Sequence, residues 1–182
     1  NNGGVNDRDC YKVSKTLYNK LLDFISVRDE KGVPKTDNDG VRIIRSDSDQ
    51  ILARFTGFGH SAGAIKNHDA IRILRNNLKN GLLMVEGEDD LQRTTDKDSA
   101  IIGRVKLITA GGTNLAYTRH GLFEPQTLAF ISEQDTATSF FGYELYKGAT
   151  IVKTPPKLTH GHALSGGYAE AIISALPAHL SR

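Results

Sequence analysis

The sequence is poor in cysteine and in long apolar runs. A single cysteine, Cys10, cannot form an internal disulfide, which excludes a disulfide-stabilised scaffold. A reducing compartment such as the cytoplasm is compatible with this, and so is secretion or delivery by a route without a signal peptide. No stretch approaches the roughly 20 apolar residues of a transmembrane helix, and no signal-peptide pattern is present. Because the chain starts at Asn1, we expect a processed protein or a module of a larger parent protein.

An excess of charge of one sign is also missing. The chain has 23 Lys and Arg against 21 Asp and Glu, a net charge of +2, so it lacks the field that attracts nucleic acid or a membrane surface. We expect neither as a partner. Hydrophobic residues make up 38% and charged residues 24% of the 182 residues, as in a globular chain that buries one core. The composition predicts a single domain over residues 1–182.

The first half of the chain combines helical periodicity with turn signals. Residues 1–10 are polar and glycine-rich and are expected to form an arm. Apolar residues at spacings of three and four predict a helix over 11–25, with Asp9 as its cap. The remaining elements predicted here are a hairpin turn at Asp39-Gly40, strands at 41–44 and 50–55, a glycine-rich loop at 57–63, and a helix at 67–78 ended by Gly81.

From about residue 101 the pattern changes to short runs of β-branched and aromatic residues separated by Gly, Pro or Asp. Helices first and strands second favour an α+β fold, with N-terminal helices followed by a strand-rich, mainly antiparallel half over 101–182. The strands predicted in this half are 101–102, 105–108, 115–117, 128–131 and 149–152, with a short helix at 135–141 and either a strand or a helix at 168–175.

One candidate nucleophile is Ser61, because residues 59–63, Gly-His-Ser-Ala-Gly, match the G-x-S-x-G pattern of serine hydrolases. In such an elbow the glycines permit a strained strand-to-helix turn that exposes the serine hydroxyl. Two observations favour a plain glycine loop instead. The run 66–69 is polar for a helix packed on a sheet, and the preceding strand lacks the continuous apolar run of a buried parallel strand. We therefore expect Ser61 in a loop, unpaired with any histidine.

A second candidate nucleophile is Cys10, near the start of an amphipathic helix whose dipole would favour a thiolate. His60 or His162 could act as its base, but no local signature accompanies the cysteine, so we expect an incidental thiol. His160 and His162 are two residues apart, on one face of a strand. No third or fourth ligand follows at a recognisable spacing, so no metal site is predicted.

A third set of candidates runs from Tyr117 to Glu170. In chain order it comprises a strand end carrying Arg119, a strand carrying Phe130 and Ser132 followed by the segment 135–141, a strand leading into Pro155-Pro156, and Gly166-Gly167 just before Tyr168 and Glu170. This order resembles that of bacterial ADP-ribosyltransferase and NAD-glycohydrolase toxins, over the C-terminal third of the chain. The sequence departs from those toxins in having no Ser-Thr-Ser triplet and no Glu-x-Glu pair.

The resemblance implies a toxin-like effector enzyme that consumes NAD as its substrate, by ADP-ribosyl transfer to a protein acceptor or by NAD hydrolysis, without a metal. Arg119 would hold the pyrophosphate through its fork of donors. Glu170 would stabilise the ribosyl cation that forms as nicotinamide leaves. Ser132 would support the nicotinamide, on which Phe130 or Tyr168 would stack. Two alternatives stay open: a serine hydrolase built on Ser61, and a non-enzymatic structural or binding module of a larger assembly.

Overall fold

A computed structural model describes residues 7–87, 90–111, 126–132, 134–135, 149–154 and 167–180. The chain divides into two compact units, one comprising Asn1–Phe55 and His68–Arg104, the other Thr56–Asn67 and Val105–Arg182. The elements in chain order are α1 (Asp7–Ile25), β1 (Ile43–Ile44), α2 (Ser48–Ala53), β2 (Thr56–His60), α3 (Ala62–Lys79), β3 (Met84–Glu86), β4 (Leu91–Arg93), a 3₁₀ helix (Asp98–Arg104), β5 (Lys106–Ala110), β6 (Gln126–Ile131), β7 (Thr150–Lys153) and α4 (Gly167–Leu180). None of the helices in the described part is long and apolar enough to cross a membrane.

The first unit is held together by the apolar stripes of α1 and α3. Both stripes follow the predicted spacing, and Ile25, Leu74 and Leu78 are fully buried. Asn77 Nδ2 donates to the Tyr18 hydroxyl over 2.6 Å, which links the two helices. Gly81 ends α3 as predicted: its φ is +65°, and its N–H bonds to the Leu78 carbonyl. The sheet of this unit has the order β1-β3-β4, with β1 and β3 parallel and β3 and β4 antiparallel.

Three local predictions for the first unit have different outcomes. The hairpin turn at Asp39-Gly40 is confirmed, since Gly40 has a φ of +78° and Thr36 bridges Arg42 in antiparallel pairing. The helix begins at Asp7 and not after Asp9, so Asp9 lies in its first turn and is not a cap. Residues 50–55 are no strand, because most of them belong to α2, where Leu52 is fully buried. A run this short is compatible with the periodicity of a strand and with that of a helix. Packing against α1 and the 3₁₀ helix favours the helix.

His68 of α3 gives the first unit a pH-dependent stability. Burial lowers the pKa of His68 to about 4, although the negative charge of Asp69 partly offsets this by raising the pKa. The folded state therefore resists protonation, whereas the unfolded chain is protonated below about pH 6.5. We expect the free energy of unfolding to fall by about 2 to 3 kcal/mol from pH 6.5 to pH 4 on this account. Urea unfolding at pH 7.5 and pH 4 measures it. His68→Gln should lack this component, and equal pH dependence in both proteins would contradict the assignment.

The second unit is built on a parallel sheet of order β2-β5-β6-β7 among the described residues. This corrects the predicted mainly antiparallel half. The predicted order of N-terminal helices followed by a strand-rich half is also wrong, because α4 lies at residues 167–180; a helix was one of the two alternatives at 168–175. The fold is mixed, but its larger sheet is of the kind found in α/β proteins. All five residues of β5 are buried, as in parallel strands covered on both faces.

One face of this sheet is packed against α4. Ile108, Ala110, Leu128 and Phe130 form a buried cluster, and the apolar side chains of α4 pack against it. These four residues are even-numbered, so odd-numbered residues such as Gly59 and Thr109 lie on the opposite face.

Candidate functional site

Four chain segments meet at the carboxyl edge of the parallel sheet. The hydrogen-bond ladder continues one residue past three of the four strands. The N–H of Ser61 donates to the Ala110 carbonyl over 3.3 Å, and that of Gly111 donates to the Phe130 carbonyl over 3.1 Å. The N–H of Thr154 donates to the Ile131 carbonyl over 2.8 Å. Ligand sites of open parallel sheets lie at this edge, so the edge is where candidate residues must be sought.

Ser61 occupies a strand-to-helix turn at this edge. It lies between the last residue of β2 and the first residue of α3. Its φ is +51°, and it is the sole non-glycine residue with a positive φ in the described part of the chain. Backbone strain of this kind costs free energy and is concentrated at functional sites. The predicted glycine loop at 57–63 is therefore replaced by a strand, a strained turn and a helix, which is the context that a G-x-S-x-G nucleophile requires.

The first glycine of the pattern is what lets α3 approach the sheet. A Cβ on Gly59 would lie 2.6 Å from the backbone N and 2.7 Å from the Cα of Ala64. Such distances are far inside van der Waals contact, and the atoms concerned are backbone that cannot rotate away. Gly63, the second glycine, has nothing within 4 Å of a Cβ position. Of the two glycines, only Gly59 is needed for the close approach of the β2 and α3 backbones.

The polar start of α3 contributes to its attachment. Asn67 Nδ2 donates to the Phe58 carbonyl of β2 over 2.9 Å, and the N–H of Ala64 donates to the Ser61 carbonyl over 3.0 Å. Polarity in this stretch had favoured a loop in the sequence, but Asn67 uses its side chain to tie the helix to the strand. The polarity of residues 66–69 is therefore no longer evidence against a nucleophile elbow at Ser61.

Replacing the two glycines of the pattern should have unequal effects. Gly59→Ala places a methyl group against the backbone of Ala64, so we expect a loss of about 3 kcal/mol, the upper range for overpacking. Gly63→Ala is the matched control and should change stability by less than about 1 kcal/mol in either direction, since alanine also favours a helix over glycine. Thermal and urea unfolding of the two variants measures the difference. Equal destabilisation would contradict the close approach of α3 at Gly59.

A buried carboxylate follows β6 at the same edge. Asp135 and Ser132 are both 0% exposed. The N–H of Asp135 donates to the Ser132 carbonyl over 3.1 Å, which closes a turn directly after the strand. Because β5 alone separates β2 from β6, the ends of the strands that precede Ser61 and Asp135 are two strand spacings, about 10 Å, apart. Aspartate is rarely fully buried, so a buried Asp at the carboxyl edge of a parallel sheet is a candidate functional group.

Asp135 is not among the site residues predicted from the sequence. It is the first residue of the helix predicted at 135–141, most of which lies outside the described residues. In the sequence, Asp135 comes four residues after an apolar strand. This position indicates a site residue only if that strand is parallel to the strand before Ser61, because only then do the two residues lie at the same edge of the sheet. Since the sequence favoured antiparallel strands, the two residues were not connected.

The histidines are distributed over several segments. His60 is the last residue of β2, directly before Ser61, and is half-buried. His68 is buried in the first unit. His120, His160 and His162 lie outside the described residues. Cys10 is on α1, but its side chain and His162 lie outside the part of the chain that the structure describes, so their pairing is untested. Among described side chains, no group of three or more His, Cys, Asp or Glu is close enough to hold a metal ion.

The residues implied by the toxin resemblance have separate locations. Phe130 is 0% exposed and belongs to the core cluster beneath α4. Ser132 follows it at the end of β6. Glu170 and Tyr168 are on α4, a helix, where Glu170 is exposed. Arg119 lies outside the described residues, so its pairing with Glu170 stays a prediction.

Comparison with known proteins adds no relative. No protein-family model, no curated protein and no solved structure matches this chain. A functional conclusion must therefore come from the geometry and chemistry of the site itself.

Proposed function

We propose that this protein is a serine hydrolase of the acyl-transfer type. Ser61 is the nucleophile, Asp135 is the acid of the triad, and a histidine of the segment after β7, His160 or His162, is the general base. The observation that carries the proposal is the strained turn of Ser61 between a parallel strand and a helix, at the edge where such sheets bind ligands.

The order of the strands supports the assignment of Asp135. In α/β-hydrolases the triad residues follow one another in the chain as Ser, then Asp or Glu, then His. Here Ser61 follows β2, Asp135 follows β6, and the chain after β7 carries His160 and His162 before α4 begins at Gly167. This assignment follows that architecture by analogy. It requires strands that end at one edge of the sheet, and β2, β6 and β7 belong to a parallel sheet.

Chain order narrows the choice of base. Only three histidines come after Asp135, namely His160, His162 and His179. His179 lies twelve residues into α4 (179 − 167 = 12), or about 18 Å along its axis. A helix that returns along a parallel sheet carries its far end away from the carboxyl edge. His160 and His162 are only six and eight residues beyond Thr154, which is anchored at that edge.

The chemistry follows from these positions. The histidine takes the proton of the Ser61 hydroxyl while the oxygen attacks the substrate carbonyl carbon. The resulting oxyanion is stabilised by backbone N–H groups at the start of α3, beginning with that of Ala62, which have no partner inside the helix. The histidine then gives its proton to the leaving group, and an acyl-enzyme on Ser61 remains. Water, activated by the same histidine, hydrolyses it. Asp135 holds the histidine in the required tautomer.

Covalent labelling tests the proposal. A fluorophosphonate probe reacts with serines that an adjacent base activates, so the wild-type protein should gain one probe mass at Ser61, located by peptide mass spectrometry. Ser174→Ala removes an exposed hydroxyl on α4, bonded to the Glu170 carbonyl, and should be labelled like the wild type. Ser61→Ala should not be labelled. A wild-type protein that resists the probe at every serine and hydrolyses no ester would contradict the proposal.

The NAD-consuming activity remains a separate prediction. Incubating the pure protein with NAD and measuring free nicotinamide distinguishes the two hypotheses. Nicotinamide release that persists in Ser61→Ala and is lost in Glu170→Gln would favour the toxin-like enzyme over the hydrolase.

A further inference from the structure

We propose that the start of α3 and the adjacent end of β5 form a binding site for a phosphoryl group. Its donors are the backbone N–H groups of Ala62 and Gly63 and the hydroxyl of Thr109, all of which lie in the second unit. The proposal goes beyond the hydrolysis proposed above, because it requires no catalytic triad and is tested by binding alone.

Thr109 carries a buried hydroxyl without a hydrogen bond. The residue is 1% exposed, and its Oγ1 has no hydrogen-bond partner in the part of the chain that the structure describes. Most buried polar atoms in folded proteins have a partner, because burying a hydroxyl without one costs free energy. An acceptor oxygen supplied by a ligand would remove this cost.

The hydroxyl of Thr109 lies beside the first turn of α3. Thr109 pairs with Gly59 in the register of β5 and β2, and paired residues of neighbouring strands point to the same face of the sheet. On that face the first turn of α3 covers Gly59, because a Cβ on this glycine would lie 2.6 Å from the backbone N of Ala64. Only one strand spacing, about 4.8 Å, therefore separates Thr109 from the residue that the start of the helix covers.

The start of α3 contributes two further donors. The first N–H groups of an α-helix have no acceptor inside the helix. The N–H of Ala64 donates to the Ser61 carbonyl, whereas those of Ala62 and Gly63 have no backbone acceptor among the described residues. Space for a ligand is available at this turn, since nothing lies within 4 Å of a Cβ position on Gly63.

These features favour a phosphoryl group as the ligand. Helix α3 has 18 residues, and the N–H groups and the positive end of the dipole at the start of such a helix attract anions. Two N–H groups and one hydroxyl match the several acceptor oxygens of a tetrahedral phosphate. Glycines at 59 and 63 leave the backbone uncovered, as they do in phosphate-binding turns between a strand and a helix.

The first experiment compares Thr109→Val with Thr154→Val. Valine has nearly the shape of threonine but no hydroxyl. In calorimetric titrations with inorganic phosphate at constant ionic strength, Thr109→Val should bind at least about 10-fold more weakly than the wild type, because one hydrogen bond to a charged group is lost. The hydroxyl of Thr154 donates to the Ile131 carbonyl over 3.1 Å in the same unit. Thr154→Val should melt at a lower temperature and bind phosphate like the wild type.

A second pair of variants tests the helix start without changing the core. Gly63→Asp and Gly63→Asn place side chains of nearly equal size in the open space beside the first turn. Only the aspartate brings a negative charge to the position proposed for phosphate. We expect Gly63→Asp to abolish measurable binding of phosphate and Gly63→Asn to retain it.

The outcome is decided by the affinity for phosphate. A wild-type protein that does not bind millimolar phosphate overturns the proposal. So does an unchanged affinity in folded Thr109→Val, which would mean that this hydroxyl binds a buried water only. If Thr109→Val does not fold, equal affinities in Gly63→Asp and Gly63→Asn overturn the proposal in its place. A parallel titration with AMP identifies the source of the group, since tighter binding of AMP indicates a nucleotide and weaker binding indicates free phosphate.

Discussion

Ser61→Ala should lower kcat for ester hydrolysis by about 10⁵-fold while the protein stays folded. The substitution removes the oxygen that attacks the carbonyl carbon, and neither the oxyanion donors at the start of α3 nor bound water can replace it. The loss should appear in kcat more than in KM, because the hydroxyl contributes to the transition state and little to substrate binding. Steady-state kinetics with p-nitrophenyl acetate, together with the melting temperature of each variant, measures both effects.

The control for this substitution is Ser174→Ala, which removes a hydroxyl on the exposed side of α4. It should keep wild-type turnover. Ser61→Ala also removes no packing beyond a single oxygen, and alanine at a φ of +51° is strained to a similar degree as serine. A folded Ser61→Ala protein with substantial turnover would exclude Ser61 as the nucleophile.

Asp135→Asn should lower kcat by about 10³- to 10⁴-fold, with Ser61 and its turn intact. Asparagine has nearly the shape of aspartate, but its amide can donate a hydrogen bond where the carboxylate only accepts. The histidine is then held in the wrong tautomer and its protonated form loses a stabilising charge. Slow labelling of Ser61 by a fluorophosphonate should persist. The same kinetic assay and the labelling rate measure the two consequences.

Glu170→Gln is the matched control, because it also neutralises a carboxylate of the second unit, at an exposed position on α4. Ester hydrolysis should be unchanged in this variant. Wild-type turnover in folded Asp135→Asn would show that the acid of the triad is another residue or that no triad exists.

How much the sequence predicts differs from element to element. Helix α3 was predicted over most of its length because Ile71, Leu74 and Leu78 repeat at helical spacing, and its end at Gly81 was predicted from one residue. Strands β6 and β7 were predicted from β-branched and aromatic runs. These features are local, so a short window of residues contains the information that determines them.

Strand β2 was missed because its sequence, Thr-Gly-Phe-Gly-His, resembles a loop. The two glycines are buried in the strand, and at Gly59 the backbone of α3 takes the place of a side chain. The direction of pairing was missed for a related reason. Thr56 pairs with Lys106, 50 residues further on (106 − 56 = 50), so no local pattern reports whether the strands are parallel. The site was partly predicted through Ser61, whereas Asp135 required knowledge of that pairing.

The division of the chain between two units also sets when the site can exist during synthesis. Ser61 belongs to Thr56–Asn67, a short excursion from the first unit, and its strand has no partner until β5 has left the ribosome. The proposed base comes later still, since His162 is 101 residues after Ser61 (162 − 61 = 101). At about 5 to 20 residues per second, roughly 5 to 20 s separate the two. On the proposed assignment, a nascent chain with this order carries Ser61 long before its base, so the triad can form only after His162 has been made.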